Sequence, residues 1–135
     1  MLSRNQEQEK MMQVIYSYLL YEKNNDQEYD LQSLMEGVFE QEYSDIDVYP
    51  KECVIKTLLN KEDIDQEISS NLSEKLKLSR INLVAHAILL LSIAEVKIVK
   101  EINKSAMINV AVELAKKYLD DGEYRFINAV LDKIL

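Results

Sequence analysis

Two glycines and one proline in 135 residues leave this chain almost no turn chemistry. Sheets built from many short strands need a Gly, Pro or Asn-rich turn after nearly every strand, whereas a few long helices need very few. The scarcity therefore predicts an all-α fold. At 47% hydrophobic and 30% charged, the composition is that of an ordinary globular protein. A chain of this length is expected to form one domain, 1–135, with enough volume for a true core.

Hydrophobic spacing predicts six helical segments. The first spans about 4–22, with Met12, Ile15, Tyr16 and Leu19 on one stripe, and NNDQEYD (24–30) breaks it. Asp30 is an expected N-cap for the second, which places Leu31, Leu34, Met35, Val38 and Phe39 inward. Pro50 suits the first position of the third helix, where a missing N–H costs nothing. That helix is expected to turn Ile55, Leu58 and Leu59 inward, then Ile64, Ile68, Leu72 and Leu76 after a register change near Asn60–Asp63. The fourth, about 82–99, is apolar nearly all round through Ile93, as a helix packed on several sides requires. The fifth, about 104–118, carries Ile108, Ala111, Val112 and Ala115 inward, with Lys116 and Lys117 at the end favoured by the helix dipole. Gly122 marks the next turn, and the sixth, about 123–134, presents Ile127, Val130, Leu131 and Ile134. Two packed three-helix groups, about 1–78 and 79–135, follow from this pattern.

The apolar run LVAHAILLLSIA (83–94) is too short to cross a bilayer, and MLSRNQEQEK at the start has no apolar signal core. The single cysteine, Cys53, excludes an intramolecular disulfide and suits a reducing cytoplasm. One His (His86) and one Cys make no usual zinc set, no glycine-rich phosphate loop exists, and no carboxylate pair stands out by spacing. Cys53 reads as a small buried hydrophobe rather than a nucleophile, and His86 as the polar edge of its helix. No catalysis and no cofactor are expected.

The formal charge is −8, a balance that by itself argues against nucleic acid. The charge is unevenly spread, however. Residues 22–67 hold 14 acidic side chains against four lysines, and the remainder sums to +2. Surface charges act over about 10 Å at moderate salt, so local balance matters more than the total. Eight tyrosines and two phenylalanines with no tryptophan form a skewed aromatic set. Such rings either sit half-buried with their hydroxyls in water or stack on unpaired bases. Tyr16, following Arg4 and Lys10, and Phe126, directly after Arg125, lie beside basic residues.

Three segments carry a family likeness. AILLLSIAEVKI (87–98), MINVAVELAKKYLDD (107–121) and YRFINAVLDKIL (124–135) resemble the "RAILRLAxxEL", "INEAVELAKxF" and "KFVNGVLD" motifs of the NusB family of transcription antitermination factors. SRNQEQEKMMQVIY (3–16) is similar to a reduced form of that family's first helix, and LKLSRI (76–81) lies at the join. The resemblance implies two three-helix bundles. It also implies binding of boxA RNA from ribosomal RNA leader transcripts together with ribosomal protein S10 (NusE), as part of an RNA polymerase antitermination complex. Carried over by position, the RNA-contacting residues fall on Tyr16, Glu95 and Phe126, with the basic first helix represented by Arg4 and Lys10. In those roles Tyr16 and Phe126 stack on splayed bases, Arg4 and Lys10 hold phosphate, and Glu95 accepts hydrogen bonds from a base edge. Tyr16 is equally readable as core, and Glu95 as an internal cap. Asn128 matches a family Asn and reads as a structural contact.

The departures are informative. The family's arginine cluster shrinks to one Arg and one Lys with Glu7 and Glu9 between them, which implies weak binding of RNA alone and greater dependence on S10. His86 replaces a basic residue, Val110 the Glu of "INEA", Ala129 the Gly of "NGVL", and Asn103 stands where a Pro is frequent. Ala129 implies a looser backbone approach than Gly allows. The alternative is a helical protein–protein module that has lost most direct RNA binding. A NusB-like module fused to an RNA methyltransferase is disfavoured, since Leu135 leaves no room for a methyl-donor domain. The resemblance also allows a homodimer that hides the RNA face.

Overall fold

The computed structural model describes residues 1–25 and 29–135. Seven α-helices appear among them: α1 (Arg4–Lys23), α2 (Leu31–Phe39), α3 (Val48–Leu59), α4 (Lys61–Ser70), α5 (Leu83–Ala94), α6 (Lys104–Tyr118) and α7 (Asp121–Ile134). Short 3-10 turns at Tyr43–Asp45 and Leu78–Arg80 and one π-helical turn at Glu95–Val99 complete the described structure, which contains no strand. The expected break over 24–30 lies partly at 26–28, outside the described residues.

Local chemistry sets the helix starts. Ser3 and Gln6 form a reciprocal capping box at α1, with bonds of 3.1 and 2.8 Å. Asp30 caps α2 as expected, accepting from the Gln32 N–H. Asn82 and Asn103 cap α5 and α6. Pro50 sits at the third helical position of α3, still within the first turn, where no N–H is needed.

Helix ends differ from expectation. Gly122 makes no turn; it lies in the first turn of α7 at ordinary φ, and the chain reverses at Leu119–Asp120 instead. Left-handed backbone is adopted by Asn25, Glu40 and Lys100, with φ of 54°, 56° and 63°. Glu40 terminates α2, and Lys100 closes the π turn by donating its N–H to the Glu95 carbonyl at 2.8 Å.

α5 is the axis of the molecule. Every side chain from Ala85 to Ala94 is buried, and α1, α3, α4, α6 and α7 all pack on it, α1 most extensively. Ser92 fits this interior by donating to the Ile88 carbonyl at 2.6 Å. His86 is buried rather than at a polar edge, because α4 covers it: Nε2 lies 2.6 Å from Asp65 Oδ1, and Lys61 holds the other oxygen at 2.8 Å. Burial pushes the Asp65 pKa up, but the bonds to His86 and Lys61 outweigh it and hold the carboxyl below its usual range.

α3 is rotated relative to the sequence reading. Its inward row is Pro50, Cys53, Val54 and Thr57, spaced i, i+3, i+4, i+7. Thr57 is buried at no polar cost because its hydroxyl donates to the Cys53 carbonyl at 2.6 Å. Ile55 and Leu59, expected in the core, are 37% and 79% exposed; with Val48 at 72% they form an outward apolar stripe. The register change at Asn60 does separate α3 from α4, and Ile64 and Ile68 are buried as expected. The inward face of α7 is also as expected: Ile127, Val130, Leu131 and Ile134.

Candidate nucleic-acid interface

The five positions expected to touch RNA do not form one patch. Arg4, Lys10 and Tyr16 recur every six residues on α1, and six residues turn an α-helix through about 600°, so each points about 120° from the last. Arg4 leans toward α3 and the π turn, with its guanidinium carbon 3.7 Å from the Tyr49 ring centre and Nη1 3.8 Å from Glu101. Lys10 turns toward α2, donating to the Val38 carbonyl at 3.0 Å. Tyr16 is half-buried against the core, on the side of α1 that also carries Glu9 and Gln13.

Glu95 is a correction. It is fully buried, so it has no surface to offer a base edge. Tyr49 donates its hydroxyl to Oε1, Gln8 donates Nε2 to Oε2 at 3.2 Å, and Cys53 Sγ lies 3.9 Å from Oε1. Burial raises the Glu95 pKa against the opposing bonds from Tyr49 and Gln8. The same burial, with the Glu95 charge beside it, pushes the Cys53 thiol up to about 12. A thiol held that firmly protonated is no nucleophile. Asn128, read as a structural contact, and Ala129 are both exposed on α7.

Tyr16 lies on α1 near the side chains that join that helix to the end of α6, and Phe126 lies on α7, which packs against α6. Lys117 reaches from the last turn of α6 to Glu9, with Nζ 2.7 and 3.0 Å from the two oxygens. Tyr118 donates to the same carboxylate and accepts from Gln13 Nε2 at 2.9 Å. The bonds from Lys117 and then Tyr118 hold the Glu9 carboxyl below its usual range. Gln13 lies three residues from Tyr16, so the two are neighbours on the helix surface. Beyond the reversal at Leu119–Asp120, Lys116 and Arg125 flank the Tyr124 ring at 5.2 and 5.8 Å, and Phe126 follows half-buried.

Sequence reasoning named Phe126 with its neighbour Arg125 but missed the grouping of Lys116, Lys117, Tyr118 and Tyr124 beside them. It assigned the two lysines to the helix dipole alone. The available signal was the interleaving of basic and aromatic residues in KKY (116–118) and YRF (124–126). Cations beside exposed rings can hold phosphate while a base stacks, which is the usual chemistry of single-stranded nucleic-acid surfaces. Among the described residues no helix is long and apolar enough to cross a membrane, and no group of three His, Cys, Asp or Glu side chains is placed to hold a metal.

Known proteins share this architecture. A family model described as the NusB family matches residues 5–135. The transcription antitermination protein NusB of Clostridium botulinum (strain Alaska E43 / Type E3) is 34% identical over 135 residues, covering 99% of this chain and 98% of that protein. Its counterpart in Bacillus mycoides (strain KBAB4) is 45% identical over 75 residues, a match covering 56% of this chain and 57% of the relative. Among solved structures, T. maritima NusB superposes with a TM-score of 0.80 at 25% identity, over 98% of this chain and 90% of that one. A structure of antitermination factors NusB and NusE in complex with double-stranded RNA superposes at 0.78 with 26% identity, covering 97% and 94%. The chain belongs to the NusB family of transcription antitermination proteins.

Proposed function

We propose that this chain is a non-catalytic, cytoplasmic antitermination factor. In this reading it binds boxA-type RNA of ribosomal RNA leaders together with ribosomal protein S10 (NusE) and contributes the pair to an RNA polymerase antitermination complex. Family membership and the likeness to a NusB structure holding NusE and RNA support it. The observation that carries it is the aromatic–basic surface at the end of α6, where Lys116, Tyr124, Arg125 and Phe126 follow one another in a few turns. Tyr16 and Phe126 are the stacking residues, while Glu95 is withdrawn from the set by its burial. Retention of a labelled boxA RNA by this protein with S10, across a salt series, is the test. Tyr16→Ala and Phe126→Ala each weaken retention by about 1–3 kcal/mol, the worth of one base–aromatic stack. Unchanged retention in both variants refutes the site.

A second reading has its own support. Arg4 is engaged by Glu101 and Lys10 by the Val38 carbonyl, so both cations expected to hold phosphate already have internal partners, as does Lys117 of the α6 cluster with Glu9. A module of this kind binds S10 yet shows no salt-sensitive affinity for RNA. Self-association that hides the RNA face is read separately, from sedimentation of the protein alone.

A further inference from the structure

A groove of about 530 Å³ opens between α1 and α6, beside the Glu9–Lys117 contact. Its volume falls within the roughly 300–1,000 Å³ of small-molecule sites. Val110 and Leu114 supply an apolar floor, and Asn5 and Asn109 supply side-chain amides, each able to donate and accept. Two ion pairs set the charge. Lys117 crosses from α6 to Glu9 on α1, and Lys116 lies 3.8 Å from Glu113 on its own helix. The lining is therefore apolar below, rich in paired donors and acceptors along its walls, and provided with two exposed cations whose partners are carboxylates.

That combination matches one chemical class: a planar heterocycle with an edge of donors and acceptors, attached to an anion. We infer that the α1–α6 groove is a subsite for a single unstacked nucleotide of the bound RNA. The base lies over Val110 with its edge toward Asn5 and Asn109, and its phosphate displaces the carboxylates from Lys116 and Lys117. This inference rests on the RNA-binding reading above and extends it to a place where none of the sequence-derived contacts falls. Val110 is the determining residue. A carboxylate at that position would add a third to Glu9 and Glu113, setting three acids against two lysines where the phosphate must sit.

Fluorescence anisotropy of a labelled boxA RNA on the complex with S10 tests it, using Val110→Glu and, as a second variant, Asn109→Asp, whose side chain is exposed and leaves packing intact. Both variants are expected to weaken RNA binding by about tenfold, the scale of one polar or ionic contact, with S10 retention unchanged, and Asn109→Asp, at an exposed position, leaves the thermal midpoint unchanged as well. Lys117→Met is expected to reduce the slope of log affinity against log salt by about one. RNA affinity unchanged in both groove variants, while the wild type binds, overturns the subsite and leaves the antitermination reading standing. Loss of S10 with RNA affinity retained also overturns it, making the groove a protein contact. A wild-type complex with S10 that retains no RNA removes both readings together.

Discussion

Replacing Glu95 by Gln should stabilise this protein, and the interior shows why. The carboxylate is fully buried, and its pKa is raised because burial penalises the charged form. Beside it, Gln8 Oε1 is the one buried side-chain oxygen or nitrogen without a hydrogen-bond partner among the described residues. An amide at position 95 keeps an acceptor for the Tyr49 hydroxyl, and Gln8 can turn its own amide so that its oxygen accepts the new N–H while its NH2 takes the place of the unpaired oxygen. One buried polar group of Gln8 therefore stays unpaired in either protein, and that cost cancels between them. The gain comes from removing the buried charge, and losing the attraction of Arg4 and the charge-assisted bonds subtracts from it. The net expectation is about 1–3 kcal/mol near pH 7.5. With an unfolding entropy of about 2.1 cal/mol/K per residue, that raises the midpoint by about 4–10 °C.

The dependence on pH has a definite sign. A carboxyl whose folded pKa is raised contributes most when protonated, and that contribution is lost as pH climbs from the ordinary carboxylate value through the folded one. The advantage of Glu95→Gln therefore grows with pH over that window and disappears below it. Urea unfolding of both proteins at several pH values measures it. Lower stability of the variant near neutrality, or a pH-independent difference, refutes the reasoning. The same variant should retain boxA RNA with S10 unchanged. A loss there at intact stability returns Glu95 to the RNA-contacting set.

Other substitutions probe the remaining features. Burial raises the Glu7 pKa to about 7, with a bond to Asp47 and its charge adding to the effect, so stability falls as pH rises from about 4.5 through 7. Glu7→Gln should flatten that profile and gain about 1–2 kcal/mol at pH 8, allowing for the solvent around Asp47; urea midpoints at pH 5 and 8 decide it. Glu40→Gly and Lys100→Gly relieve left-handed backbone and should each stabilise by about 0.5–1 kcal/mol in chemical denaturation; a loss would mean these side chains matter more than the strain. Leu59→Ala should change stability by less than about 0.5 kcal/mol, whereas Val54→Ala should cost about 1–3 kcal/mol. The reverse order in thermal melts would restore the original facing of α3.

Patterning in the sequence was legible where one face of a helix is buried and the other is charged. α7 reads correctly because Ile127, Val130, Leu131 and Ile134 alternate with Asp132 and Lys133, and the bounds of α6 follow from its apolar repeat. α3 was misread because apolar residues occupy both of its faces. Thr57, which marks the buried side, looks polar until its bond to Cys53 is known. Helix ends were misjudged for a related reason, since in a chain this poor in glycine the left-handed positions fall to Glu40 and Lys100. At the site, the aromatic residues could be named but not their grouping. Arg4, Lys10 and Tyr16 share a helix and still diverge by rotation. The burial of Glu95 depends on Gln8 and Tyr49, which lie 87 and 46 residues away along the chain.

The central position of α5 has a consequence for how this molecule opens. Five other helices lean on one twelve-residue segment, so no group of them can peel away without exposing it. The backbone amides of α5 should therefore exchange with solvent hydrogen only through global unfolding, while those of α2, which does not pack extensively on α5, are released by smaller openings. Cleavage in the link between α4 and α5 would not liberate two independent folding units. It would leave α1, α3 and α4 in one fragment without the surface that closes their core.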